Sequence, residues 1–225
     1  MSPFIIFDCD GVLVDSELLE HAVDAELLGP LGYSASAQEL LQRFVGIART
    51  DMYKTVFAEL GREIPHGLLE EREKRVWQRC HSDLKTVPGV EQALDALRQR
   101  PKCVASSSIP AKLQLKLEST GLAPHFEPHV FSTALVGHGK PAPDIYLHAA
   151  QVVGHAARDC IVVEDSPHGI AGAKAAGMRA IGFTGGSHAT PSLAAELRSA
   201  GAVLVVDHMD DLPKVICEAS NDRPP

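Results

Sequence analysis

Phe4-Ile5-Ile6-Phe7-Asp8-Cys9-Asp10-Gly11-Val12-Leu13-Val14-Asp15 starts with four consecutive apolar residues that run straight into two aspartates. A short apolar run closed by a glycine turn is the pattern of a strand covered on both faces, as in the middle of a parallel sheet. Period-two alternation places Asp8 and Asp10 on one side, with Cys9 pointing away as buried packing. Two carboxylates at the carboxyl end of a parallel strand lie where open α/β sheets bind ligands. Close carboxylates repel, so they need a cation, a shared proton or a charged substrate. Simple capping of a strand end is the plainer role, and the pair alone does not decide between them. Gly11 permits a tight turn, and Val12-Leu13-Val14 is too apolar for a solvent loop.

Outward from this segment the chain has two textures. Short β-branched runs at 103–105, 129–131, 160–163, 180–183 and 203–206 read as buried parallel strands. They alternate with amphipathic windows at 90–99, 111–119, 142–153, 168–176, 192–199 and 211–219, and glycine or proline marks most junctions. This alternation predicts an α/β fold, a doubly wound parallel sheet with helices on both faces. Between the first strand and residue 84 the pattern is helical throughout. Leu18, Leu19, Ala22, Ala25 and Leu27 open one helix; Leu40, Leu41 and Phe44 mark a second; Met52, Val56, Phe57 and Leu60 mark a third; residues 68–80 form a charged fourth. The expected domains are a core, 1–15 with 85–225, and an inserted all-helical domain, 16–84.

Composition narrows the partners. Of 225 residues, 45% are hydrophobic and 22% charged, enough apolar surface for a sizeable core. Only the polar, proline-rich 221–225 is expected to lack order. A formal charge of −8 disfavours nucleic acid and anionic lipid, and 5% aromatics disfavour a base-stacking platform. No apolar run approaches the ~18 residues of a membrane span, and the first residues lack a basic leader pattern. Five scattered cysteines without zinc spacing suggest reduced thiols in a cytoplasmic protein.

Three later segments bring chemistry to further strand ends. Ser106-Ser107-Ser108 stands at a strand-to-helix junction, where hydroxyls and backbone N–H groups can hold an anion, although N-capping explains serines equally well. Gly139-Lys140-Pro141-Ala142-Pro143-Asp144 stiffens one lysine between glycine and prolines. Val162-Val163-Glu164-Asp165-Ser166-Pro167 is again a strand ending in carboxylates. Doubly wound topology gathers these ends at one sheet edge. Oxygen-only ligands select a hard cation, Mg²⁺ above all. That cation, a lysine and serine donors beside an aspartate suit a phosphoryl group.

Together DCDGVLVDS at 8–16, the serine closing CVAS at 103–106, GKPAPD at 139–144 and VVEDSPHGIAGAKAAGM at 162–178 resemble the four ordered motifs of the haloacid dehalogenase superfamily. The likeness is greatest to the helical-cap branch that holds β-phosphoglucomutase, 6-phosphogluconate phosphatase and other sugar-phosphate phosphatases. The resemblance implies that Asp8 is the nucleophile, Asp10 the general acid and base, Ser106 the phosphate-binding hydroxyl and Lys140 the charge neutraliser. It implies Mg²⁺ ligation by the Asp8 carboxylate, the Asp10 backbone carbonyl and Asp165, with Glu164 acting through ligand waters. Gly11, Ser107 and Ser108 would complete the phosphate site. The insertion would be the cap that reads the leaving group, with Arg49 of Gly46-Ile47-Ala48-Arg49-Thr50-Asp51, and Glu17 and Glu20, contacting substrate.

The implied activity is Mg²⁺-dependent hydrolysis of a small phosphorylated metabolite, a sugar or polyol phosphate, by a monomer. The alternative is a phosphomutase. Against it, β-phosphoglucomutases carry a histidine five residues after the last aspartate of the first motif. Glu20 occupies that position here, and His21 lies one residue, about 100° of helix, further on. A phospho-accepting switch is a third reading, opposed by the long insertion, which receiver domains lack.

Overall fold

The computed structural model describes residues 3–44 and 47–221. Most of the tail expected to lack order, the leading Met1-Ser2 and Gly46 of the expected substrate segment lie outside the described residues. Contacts gather the chain into two compact units, Met1–Asp15 with Lys85–Pro225, and Ser16–Leu84.

The first unit opens with β1 (Phe4–Phe7), buried along its whole length. The second unit carries α1 (Ser16–Leu28), α2 (Ala37–Phe44), α3 (Arg49–Glu59) and α4 (Leu68–Ser82). The first unit then resumes with α5 (Val90–Ala96), β2 (Lys102–Ser106), α6 (Pro110–Ser119), β3 (Val130–Ser132), α7 (Asp144–Val153), β4 (Cys160–Glu164), α8 (Pro167–Ala175), β5 (Arg179–Phe183), α9 (Leu193–Ala200), β6 (Leu204–Val206) and α10 (Leu212–Asn221). Its six strands form one parallel sheet in the order β3-β2-β1-β4-β5-β6. Crossovers run one way from β1 and the other way from β4. The order therefore reverses between these neighbours, and a crevice opens at their carboxyl ends.

Helices cover both faces, which is why the strands read as unbroken apolar runs. Phe4 and Ile6 of β1, Cys103 and Ala105 of β2 and Val162 of β4 pack against Ile145, Tyr146 and Ala149 of α7 and Ile170 and Ala173 of α8. On the other face Phe7 meets Phe126 edge-on, with ring centroids 5.8 Å apart. Each fully buried aliphatic side chain stabilises by about 1.5–3 kcal/mol, so these layers hold the sheet. Two expectations shift. The last strand is half-buried rather than buried, because β6 is a sheet edge. Helix α7 starts at Asp144, not 142, with Pro143 as its N-cap residue.

The chain leaves and re-enters the first unit at one place. Val14 bridges Thr86 in antiparallel fashion, Asp15 N–H donates to Lys85 O at 3.0 Å, and Val87 N–H donates to Leu13 O at 3.0 Å. Pinning both ends side by side lets the insertion leave and rejoin the first unit without disturbing β1.

The second unit has its own apolar cluster, including Leu28, Leu40, Phe44, Met52, Tyr53, Val56 and Phe57. Helix α1 departs from its apolar pattern, because its buried face carries His21 and Asp24 while Leu18 and Leu19 are half-buried. The reason is charge from two other helices. Arg49 Nη1 of α3 lies 2.7 Å from Asp24 Oδ2, Arg72 Nε of α4 lies 2.8 Å from Asp24 Oδ1, and the Tyr53 hydroxyl donates to Asp24 Oδ1 at 3.0 Å. Asp24 is wholly buried. Removing one partner of such a network strands the other charges, at a cost of about 3–5 kcal/mol. Asp24→Ala is thus expected to lose that much stability in urea unfolding; a loss below ~1 kcal/mol would show the network to be dispensable.

Candidate active site

β1 ends at Phe7, one residue before the first aspartate, so the segment from Asp8 to Asp10 lies beyond the strand. A tight turn follows. The ladder continues for one step, with Asp8 N–H donating to Val163 O at 2.9 Å. Then Cys9 O accepts from Leu13 N–H at 2.9 Å and Val14 N–H at 3.0 Å, while Gly11 N–H donates to Val14 O at 2.8 Å. Gly11 has φ +77°, a left-handed conformation that glycine adopts without penalty. Val12, Leu13 and Val14 fold inward and are fully buried. Cys9 is also buried, and burial pushes its thiol well above the ordinary range, as suits packing rather than attack.

Lys140 arrives beside Asp8 from the loop after β3. Its Nζ donates to Asp8 Oδ1 at 2.5 Å, Glu164 Oε1 at 2.6 Å and Ala105 O at 3.0 Å. Burial alone would lower this ammonium, but Asp8 and Glu164 hold its pKa well above the usual lysine value. Glu164, at the end of β4, is committed through both oxygens. Oε1 also accepts from the Tyr146 hydroxyl at 3.1 Å, and Oε2 accepts from Ser166 N–H and Oγ, each at 2.9 Å. Burial pushes the Glu164 carboxyl up, yet Lys140 and Ser166 outweigh it and leave the group below the usual carboxylate range. The Asp8 carboxyl is raised well above that range. Burial is the main cause, Lys140 opposes it, and the charges of Glu164, Asp165 and Asp10 add to it.

The other acidic groups are likewise met by nitrogen. Asp165 Oδ2 lies 3.1 Å from His188 Nε2 in the loop after β5. Burial, eased by the His188 hydrogen bond, raises this carboxyl to about 6. It packs so closely on the first turn that a Cβ on Gly11 would come within 1.8 Å of Asp165 Oδ2. Asp10 Oδ1 accepts from Lys116 of α6, and Asp10 Oδ2 accepts from Ser108 Oγ at 2.8 Å. Ser106 is buried at the end of β2 with its Oγ accepting from Ser108 N–H at 3.0 Å, whereas Ser107 is exposed.

The sheet thus brings Asp8, Asp10, Gly11, Ser106, Ser108, Lys140, Glu164 and Asp165 to adjoining strand ends. Glu17, Glu20 and Arg49 instead belong to the ion network of the second unit. Arg49 Nη2 is 3.5 Å from Glu20 Oε2 and 3.6 Å from Glu17 Oε2, and Arg72 Nη2 is 2.6 Å from Glu20 Oε2. His21 sits inside that network, 3.0 Å from Arg49 Nη1; burial and Arg49 push it down to about 4. Lys116, Tyr146 and His188 were not anticipated. The available signal for Lys116 was a lysine between Leu113 and Leu117 on the buried face of α6. For His188 it was Thr184-Gly185-Gly186-Ser187-His188, a loop following yet another strand.

For a metal, the donor set has the right chemistry. Buried carboxylates outnumber the lysine that faces them, and burial, with neighbouring negative charge added to it, holds Asp8 and Asp165 above their usual values. Oxygen donors of this type suit a hard cation. Among the described residues no three His, Cys, Asp or Glu side chains are arranged as a metal-binding group. Lys140, Lys116 and His188 instead each face one of the aspartates.

Residues 4–177 match the family of haloacid dehalogenase-like hydrolases. A fructose-1-phosphate phosphatase of Escherichia coli is 31% identical over 179 residues, covering 79% of this chain and 94% of that protein. Among solved structures, a haloacid dehalogenase-like protein of unknown function from Agrobacterium tumefaciens is similar at a TM-score of 0.87 with 43% identity, covering 98% of this chain and all of that one. A haloacid dehalogenase family hydrolase from Deinococcus radiodurans, solved with bound phosphate and sodium, is similar at a TM-score of 0.86 with 31% identity, covering 97% of each chain.

Proposed function

The chain belongs to the haloacid dehalogenase-like hydrolase family, and on that premise we propose that it is a Mg²⁺-dependent phosphatase of a small sugar or polyol phosphate, working through an aspartyl-phosphate at Asp8. The observation that carries this reading is the Asp8 carboxylate, buried at the point where strand order reverses, with Lys140 bound to one of its oxygens. The second oxygen is left to attack. In the first step it bonds to phosphorus, the ester P–O bond breaks, and Asp10 gives its proton to the departing oxygen, releasing the alcohol. In the second step the Asp10 carboxylate takes a proton from water as that oxygen bonds to phosphorus. The bond from phosphorus to Asp8 breaks, and inorganic phosphate and the Asp8 carboxylate remain. Lys140 offsets negative charge throughout, while Ser106, Ser107, Ser108 and the Gly11 backbone orient the phosphoryl oxygens. Asp8, the Asp10 carbonyl and Asp165 would hold Mg²⁺, with Glu164 behind them. When bound, that ion supplies further charge neutralisation of the phosphoryl group.

In this reading 1–15 with 85–225 is the catalytic core and 16–84 the cap, whose Arg49, Glu17 and Glu20 select the leaving group. The sugar phosphate named for the Escherichia coli relative supports the substrate class. All five cysteines are unbridged, four of them buried, and among the described residues no helix is long and apolar enough to cross a membrane. Unbridged thiols suit the reducing cytoplasm, and the reading is of a cytoplasmic enzyme acting as a monomer. The mutase reading gains nothing from His21, which faces Arg49 and Asp24.

The test is phosphate release from a panel of hexose, polyol, glycolate and nucleotide monophosphates, with Mg²⁺ and after chelation by EDTA. Release from sugar or polyol phosphates, falling by at least ~100-fold on chelation, is expected. Folded protein that releases phosphate from no monoester would sink the proposal, and isomerisation of β-glucose 1-phosphate would favour a mutase.

A further inference from the structure

Helix α6 packs on the sheet through Leu113, Lys116 and Leu117, all three at most 2% exposed. A leucine would serve packing at the middle position equally well. A buried ammonium is costly unless a partner meets it. Here the partner is the acid of the first turn. Lys116 Nζ donates to Asp10 Oδ1 and lies 3.3 Å from Ser108 Oγ, which in turn donates to Asp10 Oδ2 at 2.8 Å. Ser108 is itself anchored at both backbone atoms. Its N–H donates to Ser106 Oγ at 3.0 Å, and its carbonyl accepts from Ser132 Oγ at 2.6 Å. Both oxygens of the Asp10 carboxyl are thereby tied to α6 and to the strand ends of β2 and β3, although the Asp10 side chain is 26% exposed and its own turn is short. A group that must meet a proton donor or acceptor gains most from a rigid support, because small displacements cost large factors in rate.

We propose that Lys116 is a positioning residue for Asp10, holding with Ser108 the carboxyl group that transfers protons to the leaving oxygen and from water. The inference rests on the phosphatase reading above and adds to it a residue outside the four motifs. Lys116 does not touch the phosphoryl group; it acts only through Asp10.

Two properties follow that a merely structural lysine would not show. The first is dependence on the leaving group. An alkyl alkoxide needs a proton as it departs, whereas p-nitrophenolate leaves without one. In single-turnover phosphorylation of Asp8 by the wild-type-fold enzyme, Lys116→Met is expected to slow transfer from a sugar phosphate by ~30-fold or more, with KM changed by less than ~3-fold. Transfer from p-nitrophenyl phosphate should slow by less than ~3-fold. The second is non-additivity. In an Asp10→Asn background, adding Lys116→Met should change the rate by less than ~3-fold.

Lys116→Gln, which removes the charge but keeps a donor, is measured in parallel and carries the same two tests should the methionine variant not fold. Equal losses on both substrates, or single losses that multiply in the double variant, would overturn the inference while leaving the phosphatase reading intact. Wild-type activity with unimpaired Lys116→Met and Lys116→Gln would overturn it as well. A wild-type protein that never phosphorylates Asp8 would overturn the phosphatase reading itself.

Discussion

Asp8→Asn is expected to lower turnover of every phosphate monoester by roughly 10⁴-fold or more, leaving a folded protein. The amide matches the carboxylate in shape, so Lys140 keeps Glu164 and the Ala105 carbonyl as acceptors. It cannot, however, form the acyl phosphate. Stability should move the other way. Burial and the charges of Glu164, Asp165 and Asp10 raise the Asp8 carboxyl far above its unfolded value. An acid with a raised folded pKa binds protons more readily when folded, so its ionised form costs stability at every pH above the unfolded value. Removing that charge is expected to leave the metal-free unfolding temperature at pH 7 equal to or above the wild type's, the usual trade between a strained site and stability. Rapid-quench mass spectrometry checks the chemistry, since the wild type should carry a phosphoryl group on Asp8 and the variant none. Turnover within ~10-fold of wild type would remove Asp8 from the mechanism.

Lys140→Met is expected to damage activity and fold together. Lys140 and Glu164 are almost wholly buried, and Asp8 is nearly so. Taking the ammonium away strands two carboxylates, at a cost of about 3–5 kcal/mol. The loss has a pH signature. Without Lys140, Asp8 and Glu164 must both be protonated more readily in the folded state. The deficit relative to wild type is therefore largest at neutral pH and shrinks as acid neutralises the carboxyl groups. Wild-type Glu164 behaves oppositely: its lowered carboxyl contributes stability above its unfolded value, and that contribution is lost as pH falls through the folded one. Chemical unfolding of both proteins at several pH values checks this, together with a fall in kcat/KM of at least ~10³-fold. A deficit independent of pH would mean that lost packing, not lost charge, destabilises the variant.

Much of the fold was legible because apolar runs and glycine or proline junctions are local signals. β1, β2 and β4 inside the sheet are buried along their whole length, so each reads as an unbroken run whatever its neighbours are. The helical insertion was legible from the absence of any strand pattern between residues 7 and 103. Candidate residues at strand ends were legible for the same reason, since Asp8, Ser106, Lys140 and Glu164-Asp165 each lie at or just after an apolar run or a stiffened loop. Asp8 and Asp10 were read as part of the first strand, but β1 ends at Phe7 and the chain then enters the Gly11 turn.

What the sequence by itself determined is therefore the kind of sheet, the place of the insertion and the residues able to do phosphoryl chemistry. Only the tertiary structure decided which charges meet. Lys116, 106 residues from Asp10 along the chain, looks like one more lysine of an amphipathic helix until α6 packs on the sheet. Arg49, expected from the sequence to contact substrate, is met by Asp24 and Glu20 of α1. Hydrophobic periodicity is set by nearest neighbours in the chain. Ion pairing depends on distance in space, and a buried charge is tolerated only where packing of distant elements delivers its partner.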